Sequence, residues 1–273
     1  MNRKLIKPIS VAIAVMVVVA CVGQWIWVDR PILLTAIGLA VVGQQVTLLL
    51  LNRVVRGDIE GHTARIVNVI DAYQRPLRRI RPRLPLPPLR VPGDWTITPD
   101  VAEILIDEIC DSKPQCVVEL GSGVSSLIIG YALEQSGGGH CYSLEHDAAY
   151  ARASSELIAR HGLADYVTVI HGAISDYEIN GRPGCWYERI AWDSIDDIDL
   201  LFVDGPPASI ASAARYPALP LLFDRLNSPC VVIMDDGERE SDVLTVVRWC
   251  QEFAALACEY IATQKGAFRL RKG

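Results

Sequence analysis

The chain of 273 residues has 8 cysteines but no Cys-x-x-Cys pair and no histidine spacing suited to zinc, which excludes a structural zinc site. Three of the cysteines, Cys116, Cys141 and Cys230, fall in apolar stretches where a thiol serves as a small hydrophobe. Core thiols of this kind imply a reduced, cytosolic body. Acids are scarce in the first third: residues 1–92 carry 13 Lys/Arg and 4 Asp/Glu, against 13 and 28 in residues 93–273. The acidic body argues against nucleic acid as its main partner. No internal repeat is present.

Charge is missing altogether from residues 9–28 and 32–51, each 20 residues long and so sufficient for a helix across a hydrocarbon core of about 30 Å. The expectation is a transmembrane hairpin over residues 1–56, turning at Asp29, Arg30 and Pro31. Arg3, Lys4 and Lys7 before the first span and Arg53 and Arg56 after the second would place both ends, and the body, on the cytoplasmic side of a cell membrane. A signal peptide ending near Val18–Val19–Ala20–Cys21 is the rival reading, weakened because the apolar run continues past Cys21. Gln44 and Gln45 would bond to the partner helix or to another copy of the chain, which makes a homo-oligomer a candidate assembly.

Residues 57–92 read as an amphipathic helix followed by a linker. Apolar Ile59, Ile66, Val69, Ile70 and Tyr73 recur at helical spacing. From Arg75 to Pro92 there is no acid, and six arginines alternate with prolines at 76, 82, 85, 87, 88 and 92. Proline lacks a backbone donor and disfavours helix before it, so this stretch is expected to be extended rather than packed. It would act either as a spacer or as a contact for anionic lipid.

From residue 93 onward, strands alternate with helices. Strands are expected at 116–120, 141–145, 166–170, 198–203 and 230–234, with a closing hairpin near 258–263 and 267–271. Helices are expected near 124–135, 147–161, 209–226 and 239–256. Alternation of this kind builds a mostly parallel α/β sheet with helices on both faces. Ligands then bind beyond the carboxyl ends of the strands. Those ends carry Gly121–Ser122–Gly123, Glu145–His146–Asp147, His171–Gly172–Ala173, Asp204–Gly205–Pro206–Pro207 and Asp235–Asp236–Gly237.

Gly121-x-Gly123 alone also suits a dinucleotide-binding dehydrogenase, but that motif wants a third glycine where this chain has Ser126. Taken together, Val117-Val118-Glu119-Leu120-Gly121-Ser122-Gly123, Ser143-Leu144-Glu145-His146-Asp147, Leu200-Leu201-Phe202-Val203-Asp204-Gly205-Pro206-Pro207 and Val231-Val232-Ile233-Met234-Asp235-Asp236-Gly237 resemble class I S-adenosylmethionine-dependent methyltransferases, near the catechol O-methyltransferase-like branch. The resemblance covers roughly residues 95–271. It implies a Rossmann-like fold of seven strands and S-adenosylmethionine as cofactor. Gly121 and Gly123 would let the backbone approach the cofactor, Glu119 would bind its methionine end, and Glu145 its ribose. Ser122, Ser125 and His146 would add contacts, and the adenine would pack at Gly172 and Ala173.

Asp204, Asp235 and Asp236 are the candidate reaction residues. Three converging carboxylates repel unless a cation or a proton joins them, and hard oxygen ligands suit Mg²⁺. The resemblance implies a divalent metal at matching positions, but Asp236 stands where asparagine is usual, and Pro206–Pro207 replaces residues expected to include a lysine. The alternative is that Asp204 and Asp235 position the acceptor or act as base without metal. The insert 176–197, with Trp186, Tyr187 and Trp192, would shape an acceptor pocket or simply pack. The expected activity is methyl transfer to a small or lipidic acceptor, at oxygen, by a membrane-tethered enzyme. The rivals are a membrane-anchored NAD(P)-dependent oxidoreductase and a non-catalytic scaffold on the same fold.

Overall fold

The computed structural model describes residues 38, 40–51, 53, 56–57, 77–87 and 96–273. The chain divides into two units, Met1–Asn68 and Val69–Gly273. In the first, residues 40–51 are helical. The membrane placement expected above is corrected here: among the described residues no helix is long and apolar enough to cross a membrane. The run 9–28 and the expected amphipathic segment 58–74 lie outside the described residues. The orientation of the body on the cytoplasmic side of a membrane was read from that hairpin and falls with it.

The second unit is an α/β sandwich. Its strands are β1 (Cys116–Leu120), β2 (His140–Glu145), β3 (Val167–His171), β4 (Ile174–Ile179), β5 (Arg182–Tyr187), β6 (Ile198–Val203), β7 (Leu226–Met234), β8 (Leu256–Ile261) and β9 (Ala267–Lys272). Seven form one sheet in the order β3-β2-β1-β6-β7-β9-β8, and β4 and β5 pair by themselves. The first five strands of the large sheet run parallel, and β9 is antiparallel to both β7 and β8. The helices are α1 (Pro99–Ser112), α2 (Val124–Ser136), α3 (Ala148–Arg160), α4 (Ala218–Leu222) and α5 (Glu240–Glu252).

Alternation along the strands sorts the core onto two faces, because successive side chains point to opposite sides. Val117, Leu200, Phe202 and Ile233 pack toward α1 and α2, while Val118, Leu120, Leu201, Val203, Val232 and Met234 pack toward Trp186, Trp192, Leu219 and Trp249. The even spacing of apolar residues on both faces is why these strands read as unbroken apolar runs. Helix α2 is buried from Val124 to Leu133, consistent with its position between the sheet and its neighbours.

Two sequence expectations fail for identifiable reasons. The helix expected at 209–226 is reduced to α4 and one 3₁₀ turn at Phe223–Arg225, with turns over 212–217. Pro217 has no N–H and biases Tyr216 away from helix, and Arg215 turns inward to the acids described below. The Pro/Arg stretch also does not stand free. Residues 77–80 form a helical turn whose Ile80 is buried in the core. Arg79 pairs with Asp107 and Asp111, and Arg83 pairs with Glu134 and donates to the His161 carbonyl. These two arginines thus hold the protein's own acids, whereas the two readings of the stretch were a free spacer or a contact for anionic lipid.

Candidate active site

Strand register brings the candidate residues level. Leu120 stands opposite Leu144 on β2 and Val203 on β6, and Val203 stands opposite Met234 on β7. The next residues, Gly121, Glu145, Asp204 and Asp235, therefore emerge side by side at the carboxyl edge. Strand order reverses between β1 and β6, which opens the binding crevice of such a sheet at this place.

The turn after β1 is built for close approach. Gly121 has φ +94° and Gly123 φ +154°, a region that favours glycine. The chains after β1 and β6 nearly touch: a Cβ on Gly205 would lie 3.0 Å from the Gly121 backbone and 2.7 Å from the Tyr187 hydroxyl. No atom stands within 4 Å of a Cβ placed on Gly123, so this glycine faces open space.

Glu119 and Glu145 flank the turn. Glu119 is fully buried, and its Oε2 accepts a hydrogen bond from Ser126, whose hydroxyl also receives the Gly123 N–H at 3.1 Å. The serine that replaces a third glycine therefore ties the helix to the acid. Oε1 of Glu119 is buried without a partner. Burial pushes this carboxyl up to about 7, against serine hydroxyls that favour the ionised form. Glu145 is 5% exposed; its Oε2 accepts from the Ser122 N–H and hydroxyl at 3.0 and 3.1 Å, and its Oε1 from Asp147 N–H at 3.0 Å. His146 Nδ1 lies 2.8 Å from Oε1. Asp147 caps α3 through the N–H groups of Ala149 and Tyr150.

The other expected contacts are at the same edge with different roles. Ser125 is buried in the first turn of α2. Gly172 donates its N–H to the Glu145 carbonyl, and a Cβ there would meet Ala191 at 2.8 Å. Ala173 donates to the Glu188 carboxylate at 3.2 Å. The aromatic insert turns inward: Trp186, Tyr187 and Trp192 are buried, and Trp186 stacks edgewise on both of the others. Tyr187 reaches the crevice, its hydroxyl buried without a partner against Gly205.

Asp204, Asp235 and Asp236 offer oxygens all within 4.8 Å of one another. Two cations missed in the sequence stand among them. Arg215 Nη2 lies 3.0 Å from Asp204 Oδ1 and 2.9 Å from Asp236 Oδ2, and Nη1 reaches Asp242 at 3.3 Å and the Asp235 carbonyl at 3.0 Å. Lys265 Nζ lies 3.0 Å from Asp235 Oδ2 and 3.1 Å from Asp236 Oδ1. Arg239 adds contacts to Asp236 and Asp242 at 2.8 and 3.1 Å. Asp236 anchors these cations. Burial and the neighbouring Asp235 push Asp204 well above the usual carboxylate range, with Arg215 opposing. Burial likewise raises Asp235, whereas for Asp236 it is outweighed by Arg215, Lys265 and Arg239, which hold that carboxyl low. Arg215 was hidden in an expected helix and Lys265 in a hairpin turn; a cation facing acids across the sheet leaves no local sequence signal.

Comparison with known proteins agrees with this geometry. Residues 118–237 match the Methyltransf_24 family, described as "Methyltransferase domain". Among solved structures, a methyltransferase from Geobacter sulfurreducens is 14% identical with a TM-score of 0.51, covering 75% of this chain and 88% of its own. A methyltransferase from Podospora anserina bound to S-adenosylhomocysteine is 16% identical with a TM-score of 0.52, covering 78% and 96%. An O-methyltransferase from Bacillus cereus, also with S-adenosylhomocysteine, is 18% identical with a TM-score of 0.50, covering 74% and 91%. At these identities the structures establish the fold, and the domain match supplies the activity class. The residues also suit the cofactor: the orphaned Glu119 oxygen is an acceptor awaiting a donor, and Gly123 leaves room for one. Residues 118–237 thus match a methyltransferase domain, and the enzyme is an S-adenosylmethionine-dependent methyltransferase on a Rossmann-like, mostly parallel seven-stranded sheet.

Proposed function

We propose that this enzyme methylates a hydroxyl oxygen of a small acceptor, with Asp204 as the base. The observation that carries the reading is the state of Asp204. It stands at the switch point beside the cofactor turn, its Oδ1 is held by Arg215, and its Oδ2 has no hydrogen-bond partner among the described residues. A carboxylate raised toward neutrality by burial takes up a proton more readily than an exposed one. The Bacillus cereus neighbour is an O-methyltransferase, in keeping with this choice of atom.

In this reading Glu145 holds the ribose after releasing Ser122, Glu119 takes the methionine amine, and Gly121, Gly123, Ser122, Ser125, His146, Gly172 and Ala173 line the cofactor. S-adenosylmethionine supplies an activated methyl group bonded to a cationic sulfur. The protein's task is then alignment of acceptor oxygen, methyl and sulfur, together with removal of the acceptor proton. Asp204 accepts that proton as the oxygen attacks, and Asp235 with Lys265 fixes the neighbouring strand end. The boundaries 57–92 for the linker and 93–273 for the catalytic domain belong to the same reading.

The test is transfer of labelled methyl from S-adenosylmethionine to a panel of small phenols and alcohols. Asp204→Asn should abolish transfer while leaving S-adenosylhomocysteine binding within about threefold. Full turnover by Asp204→Asn would remove the base from Asp204, and methylation of amines alone would remove the oxygen acceptor.

A further inference from the structure

We propose that Arg215 and Lys265 take the place of a divalent cation in the acidic cluster, so that the site neither binds nor needs a metal. The inference builds on the methyltransferase reading, but it concerns how the chain balances its own charge. Three carboxylates within 4.8 Å of one another are the composition of a Mg²⁺ site. The oxygens a metal would use are already engaged. Asp235 Oδ1 accepts the Asp236 N–H at 2.7 Å, and its Oδ2 is bound by Lys265. Asp236 Oδ1 is bound by Lys265, and its Oδ2 by both Arg215 and Arg239. Asp204 Oδ1 is bound by Arg215. Among the described residues only Asp204 Oδ2 is left over, and one oxygen does not hold a divalent ion.

The cations are also fixed in place. The Arg215 side chain is 4% exposed and donates to the backbone carbonyls of Asp204 and Asp235 as well as to three carboxylates. Moving it out would strand a guanidinium and several acids in the interior. Mg²⁺ or Mn²⁺ would need to displace both Arg215 Nη2 and Lys265 Nζ to reach octahedral oxygen coordination, and two like charges cannot share the space with a dication. With Arg239 and Asp242 included, four aspartates face three basic side chains, a balance that leaves little field to attract a dication. Lys265 is the replaceable member: it stands at the rim, 17% exposed, at the tip of the β8–β9 hairpin.

Lys265 and Arg215 are therefore positioning residues. They hold the Asp236 carboxyl low, Lys265 opposes the burial that raises Asp235, and one oxygen of Asp204 is left for the acceptor.

Titration of the purified full chain with Mn²⁺, followed by electron paramagnetic resonance, tests the assignment independently of turnover. The wild type should bind no Mn²⁺ below about 1 mM, an extracellular-module affinity at best. S-adenosylhomocysteine affinity by calorimetry should be unchanged by chelator. Lys265→Gln should bind Mn²⁺ at least about tenfold more tightly than wild type, because it uncovers two carboxylate oxygens. Lys265→Arg, which keeps the charge, should not. Sub-millimolar Mn²⁺ binding by the wild type overturns the proposal, whether or not Lys265→Gln folds. A folded Lys265→Gln that gains no affinity overturns the role given to Lys265. Loss of cofactor binding by the wild type in every buffer would instead count against the methyltransferase reading.

Discussion

Replacing Arg215 with methionine isolates the electrostatics of the site, because the side chain keeps much of its length and loses its charge. The wild-type guanidinium lies 2.9–3.3 Å from carboxylate oxygens of Asp204, Asp236 and Asp242 and is almost wholly buried. Removing one partner of a buried ion pair costs about 3–5 kcal/mol, because the remaining charges stay in a poor solvent. For a domain of this size that corresponds to a fall in Tm of roughly 6–20 °C. The loss should depend on pH. Asp236 is held below its ordinary value in the native state, so its stabilisation is present above that value and disappears as pH falls through the folded pKa. Asp204 is raised, so the native state already binds its proton more tightly than the unfolded chain does, and stability falls as pH rises from the ordinary carboxylate range. Without Arg215 both carboxyls move upward, and protonation at low pH relieves the damage. Urea denaturation of both proteins at pH 5 and pH 8 should therefore show the larger deficit at pH 8. A deficit under about 1 kcal/mol, or one equal at the two pH values, would refute the buried network as described.

Glu145→Gln should weaken S-adenosylhomocysteine binding by roughly tenfold to a hundredfold, measured by calorimetry with circular dichroism as the check on folding, since charge-assisted hydrogen bonds are worth about 1.5–3 kcal/mol. Glu119, raised by burial to about 7, makes the protein without cofactor lose stability on the order of 3 kcal/mol between about pH 4.5 and pH 7. The Glu119→Gln variant should lack that slope in urea midpoints taken across this range. Gly205→Ala would drive a methyl group to 2.7 Å from the Tyr187 hydroxyl and 3.0 Å from the Gly121 backbone, so cofactor binding should fall well before global stability does. Trp186→Ala should cost about 3–5 kcal/mol in urea, because its ring is fully buried beneath β6 and β7; a loss below about 1 kcal/mol would place it outside the core.

The parallel strands were legible because each has a mainly apolar stretch with a glycine or an acid at its carboxyl end. β1, β2, β3 and β6 fall within a residue of where periodicity puts them, whereas β7 begins four residues earlier. The helix expected at 209–226 was misread because its apolar spacing is helical while Pro217 and the inward turn of Arg215 forbid continuation. Of the two readings of the aromatic insert, packing is the one seen: Trp186, Tyr187 and Trp192 are all buried, and the Tyr187 hydroxyl lies against Gly205. The membrane expectation depended on composition over 20-residue windows, and among the described residues no helix is long and apolar enough to cross a membrane.

By itself the sequence determined the alternation of strand and helix, the glycine turn after β1, and the acids waiting at the strand ends, since all of these are set by residues close together in the chain. Only the tertiary structure decided what those acids face. Arg215, Arg239 and Lys265 come from a turn, a helix start and a hairpin tip, and they meet Asp204, Asp235 and Asp236 only because the sheet orders β6, β7 and β9 side by side. An ion pair between residues up to 30 positions apart has no periodicity and no motif. Its geometry follows from register and burial, and it sets three basic side chains among the acids at the strand ends.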